Sequence, residues 1–286
     1  MKYILTTIAA LCCAIMHKAQ VTTTLPIDTA KQHGKGGGTL SIGSGGVQFT
    51  SKNHDSSVKK TFEVQFGMLD LGLNSFDDKT DYNSAAARDF LHVKDPYANA
   101  DLFSLRSNKS VNVNIYPILV KAQVYRGARQ KITIASGLGM QLYNFRFTKP
   151  VAYRSDPTPH VELDTVSFSK NKLAFNYLTV PLMINGKTKI ANGKSAKGYY
   201  PGYWLTYGIG ISGGYLLNSW TKQISDERGK QKNHDPFNFR NTNFCVNGEF
   251  GLDGYIRLYA SYQLTSLHEN GLEQHPVCIG VRFLGI

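Results

Sequence analysis

The sequence predicts an all-β protein: an eight-stranded antiparallel up-and-down β-barrel that spans a membrane, preceded by a short N-terminal periplasmic extension. Three observations support this prediction. Eight segments alternate between apolar and polar residues, the connections between them alternate between long and short, and the chain begins like an exported protein. Strand side chains alternate between two faces, so such a segment presents one apolar and one polar surface. Long loops on one side and short turns on the other are typical of outer-membrane barrels.

The N-terminus carries the features of a secretory signal peptide. An early lysine precedes the apolar run Tyr3–Met16, which is followed by polar residues. This run is too short for a transmembrane helix, and we predict cleavage after Ala19, which makes residues 1–19 the signal peptide. Residues 20–60 are rich in Gly and Ser and are predicted to form a periplasmic extension with one small hairpin, residues 39–42 and 47–50 around GSGG.

The barrel is predicted to occupy residues 61–286. Its eight alternating segments are residues 61–74, 110–125, 131–147, 172–185, 202–220, 242–252, 255–265 and 275–286. Parity slips near Gly67 or Met68, where we expect a bulge. The long connections are predicted to be the polar loops 75–107, 148–170 and 221–241, with a shorter loop at 267–275. The short connections are 127–130, 190–198 and 253–254.

Residues 202–220 contain no charged residue and are long enough for a transmembrane helix. Their glycines and their strict alternation favour a strand. Tyr203 and Tyr215 share its apolar face. At about 3.3 Å per residue and a tilt of about 45°, they would lie about 28 Å apart along the membrane normal. This separation is close to the ~25 Å band that aromatic girdles border, so we predict both tyrosines in the girdles.

The inward parity of the last strands carries charge. Glu249, Arg257 and Arg282 are predicted to face the lumen on neighbouring strands, and unpaired charges there would be costly. We therefore predict that Glu249 pairs with Arg257, and that Arg282 joins them or takes Asp70 of the first strand. Tyr255, Tyr259 and Gln263 are expected to fill the remaining space, so that the barrel is plugged and conducts nothing. The alternative is that these charges lie at the rims and meet water.

Two cysteines remain once the signal peptide is removed. Cys245 and Cys278 are predicted on the sixth and eighth strands, so one strand separates them. Two strand spacings of about 4.8 Å place them about 9–10 Å apart, beyond the ~7 Å limit for a disulfide. We predict free thiols.

No catalytic, cofactor-binding or metal-binding residues are predicted. The polar residues that could suggest such sites are interpreted as solvated loop residues; they are His268, Glu269 and His275, His160 and Glu162, and Asp77, Asp78 and Asp81. The aspartates lack the Gly and the terminal Glu of a calcium-binding loop.

The formal net charge is +12, and in an exported chain it favours anionic membrane lipid over nucleic acid as the partner. Two interpretations of the loop cations stay open, contact with lipopolysaccharide phosphates and a simply solvated loop; these cations are Lys222, Arg228, Lys230, Lys232 and Arg240.

Several stretches resemble the outer-membrane β-barrel proteins of Bacteroidetes-type bacteria, the group that includes the PorT-like barrels. They are residues 172–184, 207–217, 235–267 and 275–283, with weaker similarity at 66–76 and 136–147. The resemblance implies a bacterial outer-membrane location and insertion by the barrel-assembly machinery. Members commonly end in an aromatic residue, whereas this chain ends Leu284-Gly285-Ile286, with Phe283 three positions earlier.

The expected function is that of a non-enzymatic integral outer-membrane protein, a narrow plugged barrel whose long extracellular loops serve envelope structure, adhesion, or a secretion or envelope assembly with protein partners. Two alternatives stay open. One is a soluble lipocalin-like barrel that binds a small apolar ligand, and the other is an outer-membrane lipid-modifying enzyme. The polar face of the strands is mostly Gly, Ser, Thr, Asn and Tyr, which favours a narrow lumen over a soluble outer surface.

Overall fold

The computed structural model describes residues 37–43, 46–52, 61–195, 198–254 and 256–284. The predicted signal peptide lies outside these residues. The strands of the described part are β1 (Gly37–Gly43), β2 (Gly46–Lys52), β3 (Thr61–Asp78), β4 (Val111–Arg126), β5 (Gln130–Arg146), β6 (Val151–Arg154), β7 (His160–Leu163), β8 (Lys170–Ser195), β9 (Gly198–Ser225), β10 (Gly229–His234), β11 (Thr242–Leu252), β12 (Ile256–Gln263) and β13 (Gln274–Leu284). The predicted all-β class is confirmed.

Eight of these strands close into an antiparallel ring. The order around the ring is β3, β4, β5, β8, β9, β11, β12 and β13, and β13 pairs with β3 to complete it. Seven of the eight contacts join strands that follow one another around the ring in chain order, so the path runs up and down. All eight alternating segments of the sequence therefore lie in this ring.

The two faces of the ring differ sharply in composition. The outward face carries exposed apolar side chains on every strand, among them Phe66, Ile118, Leu138, Val180, Ile209, Phe250, Leu258 and Ile279. The inward face is polar and buried, and includes Gln65, Asn112, Gln141, Thr179, Ser212, Asn247, Ser261 and Arg282. The two-residue period of a strand separates these sets, as the alternation in the sequence predicted.

The expected irregularity in β3 lies at Gly67. This glycine has a positive φ of 69°, and β3 and β4 pair on both sides of it without pairing Gly67 itself. Inward parity changes there, because Gln65 and Met68 are both buried. The slip thus lies at Gly67, one of the two predicted positions, and Met68 faces inward with Asp70 instead of sharing the outward face of Phe66.

Two predicted boundaries are also wrong. The predicted turn at 190–198 is mostly strand, because β8 continues to Ser195 and β9 begins at Gly198. The predicted loop at 221–241 begins with strand as well: β9 runs to Ser225, and β10 folds back to pair with it. No sustained apolar alternation marks these stretches in the sequence, and they are strands because their backbones pair.

The four long connections meet at one end of the ring and pack together as a cap. The cap contains the β6–β7 hairpin, a short helix α1 (Ala85–Phe90), and two 3₁₀ helices at Ala100–Phe103 and Ser107–Lys109. These connections were predicted to be polar loops, but they hold a buried apolar cluster that includes Phe90, Leu91, Leu102, Phe103, Tyr153, Val161, Phe237, Phe239, Leu267 and Leu272. The prediction failed because these apolar residues are scattered over four connections and form one core only when the connections meet.

No helix in the described residues is long and apolar enough to span a membrane.

The β1–β2 hairpin adds to the ring at the end opposite the cap. β2 pairs with residues 61–64 of β3, while β13 stops at the pair Leu284–Met68. The hairpin therefore continues the edge of β3 beyond the point where β13 ends. Its strands cover the two segments that were predicted to form a hairpin.

Candidate functional site

The interior of the ring holds a network of charged side chains. Asp70, Glu249, Arg257 and Arg282 all project inward, from β3, β11, β12 and β13 respectively. Register places Arg282 directly opposite Asp70 on one side and Arg257 on the other. Two guanidinium groups in adjacent positions would repel one another, so this register requires carboxylates close by.

The carboxylates bridge the two arginines. Arg282 donates Nε to Oδ1 of Asp70 at 2.7 Å and Nη2 to Oδ2 at 2.9 Å, a bidentate pair. Its Nη1 donates to Oε2 of Glu249 at 2.7 Å, and Arg257 Nη1 donates to Oε1 of the same carboxylate at 2.5 Å. Two negative and two positive groups thus form one continuous network, and the structure brings together all four residues of the predicted set.

The four charges are removed from solvent. Their exposed fractions lie between 0% for Asp70 and 7% for Arg257. The alternative interpretation, in which these charges lie at the rims and meet water, is therefore wrong. A buried charge of this kind persists only with partners, which the network supplies.

Neutral polar residues extend the network across the interior. Tyr259 donates its hydroxyl to Asn112 Oδ1 at 2.6 Å, a contact that joins β12 to β4, and its ring lies 5.7 Å from the guanidinium carbon of Arg282. Gln263 is fully buried and donates to the carbonyl oxygen of Thr265 at 3.0 Å. Tyr255, predicted to contribute as well, lies outside the described residues.

The part of this network that lies on β4 was not predicted from the sequence. Asn114 donates Nδ2 to Asp70 Oδ2 at 3.2 Å, and Asn112 accepts the bond from Tyr259. The signal was present as the alternating VNVN at residues 111–114, which places both asparagines on the inward face. Lys121 also points inward and donates to Gln65.

Little open space remains beside the charges. The cavity that Glu249, Arg257 and Arg282 line has a volume of about 20 Å³. A cavity needs about 10–15 Å³ to hold one water molecule, so this one has room for about one water molecule. The cavity beside the ion pairs is therefore too small for a ligand of ordinary size.

The predicted girdle residues both face outward. Tyr203 and Tyr215 lie on β9 with exposed fractions of 67% and 58%. Ile209 lies midway between them in the sequence and is 64% exposed.

Both cysteines, Cys245 and Cys278, are free and buried, as predicted. They face the interior from β11 and β13, with β12 between those strands.

The cap encloses a second candidate site. A groove of about 520 Å³ is lined by residues of three connections, including Asp81, Arg240, Glu269, Glu273 and His275. His268 also lines the groove, but its side chain is buried among aromatic rings. The interpretation of His268 as a solvated loop residue is therefore wrong. Neither of its ring nitrogens has a hydrogen-bond partner in the described part of the chain. Burial lowers the pKa of His268 to about 3.

The other residues considered for catalysis or metal binding have structural partners. Glu162 pairs with Arg154 at 2.7 Å, and His160 stacks on His92 with ring centres 4.2 Å apart. Asp77 accepts from Tyr262 at 2.8 Å. Asp78 accepts from Tyr82 and from Gln274, and Asp81 accepts from the backbone of its own turn. Within the described ranges, no group of three or more His, Cys, Asp or Glu side chains is arranged to hold a metal ion.

The predicted loop cations separate into two groups. Lys222, Lys230 and Lys232 lie on strands β9 and β10 rather than in a loop. Arg228 pairs with the buried Asp164 at 2.7 Å, and Arg240 lines the groove in the cap. The prediction of a loop failed for the three lysines because β10 pairs with the end of β9. This backbone pairing makes strand of a charged stretch that lies beyond the apolar residues of the outward face.

Comparisons of the chain with protein-family models, with curated proteins and with solved structures found no match.

Proposed function

We propose that this chain is a non-enzymatic integral outer-membrane β-barrel protein of the PorT-like kind, with a plugged interior and a folded extracellular cap. The observation that carries the proposal is the distribution of polarity in the ring. All eight strands expose apolar side chains outward and bury charged and amide side chains inward. An apolar outer face and a polar interior suit a ring that is surrounded by lipid. A closed ring also leaves no unpaired strand edge, and an unpaired edge would be costly within the bilayer.

The apolar outer face is difficult to reconcile with water. Soluble monomers rarely expose a contiguous apolar patch larger than a few hundred Å². Here Leu178, Val180, Leu182 and Ile184 follow one another along the outward face of β8, and each is more than a third exposed. The neighbouring strand β9 repeats this pattern between Tyr203 and Tyr215. The belt continues around the ring, so contact with a single protein partner would not cover it.

The interior argues against the lipocalin-like alternative. A barrel that binds an apolar ligand needs an apolar cavity of several hundred Å³. The cavity beside the ion-pair network measures only about 20 Å³, and charged residues such as Glu249 and Arg257 line it together with apolar ones. The same filling supports a barrel that conducts nothing, because side chains occupy the path that ions would take.

The cap supports a role in envelope structure, adhesion or an envelope assembly. Its four connections share one apolar core, and isolated bridges join residues of different connections, such as Leu91 with Val161 and Phe239 with His268. A cap built in this way presents a fixed surface rather than four independent loops. A fixed surface loses little conformational entropy on binding, which favours recognition of a protein partner.

Membrane fractionation tests the proposal. The full chain, expressed in a bacterium with an outer membrane, is expected in the outer-membrane fraction and is expected to resist extraction by carbonate and by urea. The purified protein should migrate faster in a denaturing gel before boiling than after it, as folded barrels do. Recovery in the soluble periplasmic fraction, without detergent, would contradict the proposal.

A further inference from the structure

Four cationic side chains form a row on the outer surface, on the side of the ring that carries the cap. Arg146 of β5 pairs in register with Lys172 of β8, Lys172 pairs with Lys222 of β9, and Lys222 pairs with Lys232 of β10. Residues directly opposite one another share a face of the sheet. The row, defined by these four residues, therefore runs across four adjacent strands at intervals of about 4.8 Å.

The row faces outward, on the same side of the strands as the apolar belt. On β8 the inward positions are Leu173 and Phe175, which are fully buried, so Lys172 projects the other way. On β9 the buried positions next to Lys222 are Thr221 and Gln223. Since β6, β7 and the interior core lie on the inner side, the four cations point away from the cap core.

Anionic side chains do not balance this charge. None of the four cations forms an ion pair with a carboxylate in the residues that the structure describes, although ten such contacts occur elsewhere. Burial, together with Lys170 and the other members of the row, lowers the pKa of Lys172 to about 8. Like charges directly opposite one another destabilise a sheet, so the fold retains an unfavourable arrangement here.

A tryptophan lies beside the row. Trp220 occupies the next outward position on β9, and the ammonium nitrogens of Lys172 and Lys232 lie 5.8 Å and 5.2 Å from the centre of its ring. Tryptophan is enriched at membrane interfaces, where its ring sits at the level of the headgroups. The cation–π contacts hold two lysines at that level.

The position of the row relative to the belt also fits a membrane surface. Leu217 is the last strongly exposed apolar residue of β9, and Lys222 follows it by five residues. At about 3.3 Å per residue and a tilt of about 45°, the row lies about 12 Å beyond the belt along the membrane normal. Lysine side chains can bend back toward the lipid over several ångströms.

We propose that the row binds the phosphate groups of a phosphorylated glycolipid of the outer leaflet, a lipopolysaccharide-type lipid whose acyl chains pack against the adjoining apolar belt. This inference rests on the proposed membrane location. Four cations in register with a repeat of a few ångströms offer charge-assisted hydrogen bonds to several phosphate oxygens at once. The bound phosphates remove the repulsion along the row, and the belt beside it supplies the contact for the lipid tails.

Binding to a purified lipid tests the inference. The full chain, solubilised in a neutral detergent, is titrated with rough lipopolysaccharide that retains its phosphates, and affinity is measured by calorimetry. The variant Lys172→Gln/Lys222→Gln/Lys232→Gln is expected to bind about a hundredfold more weakly, since each lysine near an anionic surface contributes about a factor of five. The variant Lys94→Gln/Arg126→Gln/Arg129→Gln removes the same charge at exposed sites away from the row and is expected to bind like the wild type.

Two further binding measurements test whether the row recognises phosphate carried by the lipid or free phosphate. The same lipopolysaccharide with its phosphates chemically removed is expected to bind as weakly as the row variant. Inorganic phosphate at millimolar concentration is expected not to displace the lipid. Equal binding of the dephosphorylated lipid, displacement by free phosphate, or equal binding by the row variant would each overturn the inference.

A stability measurement separates the inference from the proposed function. Without lipopolysaccharide, the row variant is expected to unfold at a higher temperature than the wild type, because repulsion along the row is gone. With lipopolysaccharide, only the wild type should gain stability. Both proteins are expected in the outer-membrane fraction. If the wild type fractionates there but gains no stability from the lipid, the inference alone fails; if it is soluble, the proposed function fails.

Discussion

Arg282 of β13 and Asp70 of β3 lie directly opposite one another in register and form a buried bidentate ion pair, with donor–acceptor distances of 2.7 Å and 2.9 Å. These two strands are the last and the first of the ring, so the pair lies across the seam where the ring closes. The two residues are separated by 212 positions in the chain. Closure of the ring therefore gives the buried carboxylate on β3 and the buried guanidinium on β13 the partners that each of them needs.

Loss of the arginine at this seam should be costly. Arg282→Met leaves Asp70 without its two strongest donors and is expected to destabilise the folded protein by about 3–5 kcal/mol, the usual cost of an uncompensated buried charge. Urea unfolding in detergent, followed by the mobility of the unboiled protein, measures the loss. The double variant Asp70→Asn/Arg282→Met should recover much of it, and Arg126→Met, at an exposed site, should change stability by less than about 0.5 kcal/mol. An equal loss in the single and the double variant would contradict the pairing.

The filled interior predicts that the proposed barrel carries no current. Purified protein in planar bilayers is expected to show no steady single-channel conductance, because the ion-pair network and Tyr259 occupy the lumen. A larger barrel that conducts ions, incorporated in the same preparation, provides the positive control. Reproducible conductance steps from the wild-type chain would rule out the plug.

The outward belt predicts that the effect of a charge depends on its depth. Ile209 lies midway between the two girdle tyrosines, and Ile209→Arg is expected to cost about 2–4 kcal/mol in a bilayer. Ile190 is similarly exposed but lies near the short-turn end of β8, so Ile190→Arg should cost no more than about 1 kcal/mol. Unfolding in lipid vesicles measures both. Equal and small effects at the two positions would indicate that water rather than lipid surrounds the ring.

Two glycines on ring strands that β12 separates offer a matched test of close packing. At Gly280 of β13 an added Cβ would lie 2.2 Å from the carbonyl oxygen of Leu71, whereas at Gly248 of β11 the nearest atom would be 3.9 Å away. Gly280→Ala should therefore destabilise the ring by about 1–3 kcal/mol or more, because β3 and β13 must separate. Gly248→Ala should be close to neutral. Similar unfolding midpoints for the two variants would show that the seam is looser than described.

His268 predicts a pH dependence of the cap. Its pKa is about 3 in the folded protein and about 6.5 when unfolded, so between these values the unfolded state binds the additional proton. Stability should therefore fall as the pH drops below about 6.5, by up to about 1.4 kcal/mol per pH unit from this group, and the loss should level off near pH 3. Limited proteolysis of the cap across this range measures the effect. His268→Phe should remove this component, whereas His234→Phe, at an exposed position, should retain it.

The residues of the interior network could be predicted from the sequence, but their individual contacts could not. Parity placed Glu249, Arg257, Arg282 and Asp70 on inward faces, and opposite charges on neighbouring strands suggested that they pair. Which oxygen each nitrogen reaches, and the participation of Asn114, depend on register between strands far apart in the sequence. A shift of one residue would turn every one of these side chains outward.

The cap shows where sequence reasoning fails. Phe90, Tyr153, Phe237 and Leu267 come from four different connections, and none lies in a run with a strand or helix period. Each was therefore interpreted as part of a polar loop. Only when the ring brings the connections to one end do these residues bury one another, and His268 becomes buried with them.

The sequence by itself determined that eight strands form the ring and, for most of their side chains, which face they belong to, because a strand's two-residue period is a local property of the chain. The tertiary structure decided which residues meet. Closure of β13 on β3 brought Arg282 to Asp70, and pairing of β10 with β9 placed Lys232 beside Lys222 in an outward row of cations. Register between strands is set by the packing of the whole ring, so it appears in no single segment of the sequence.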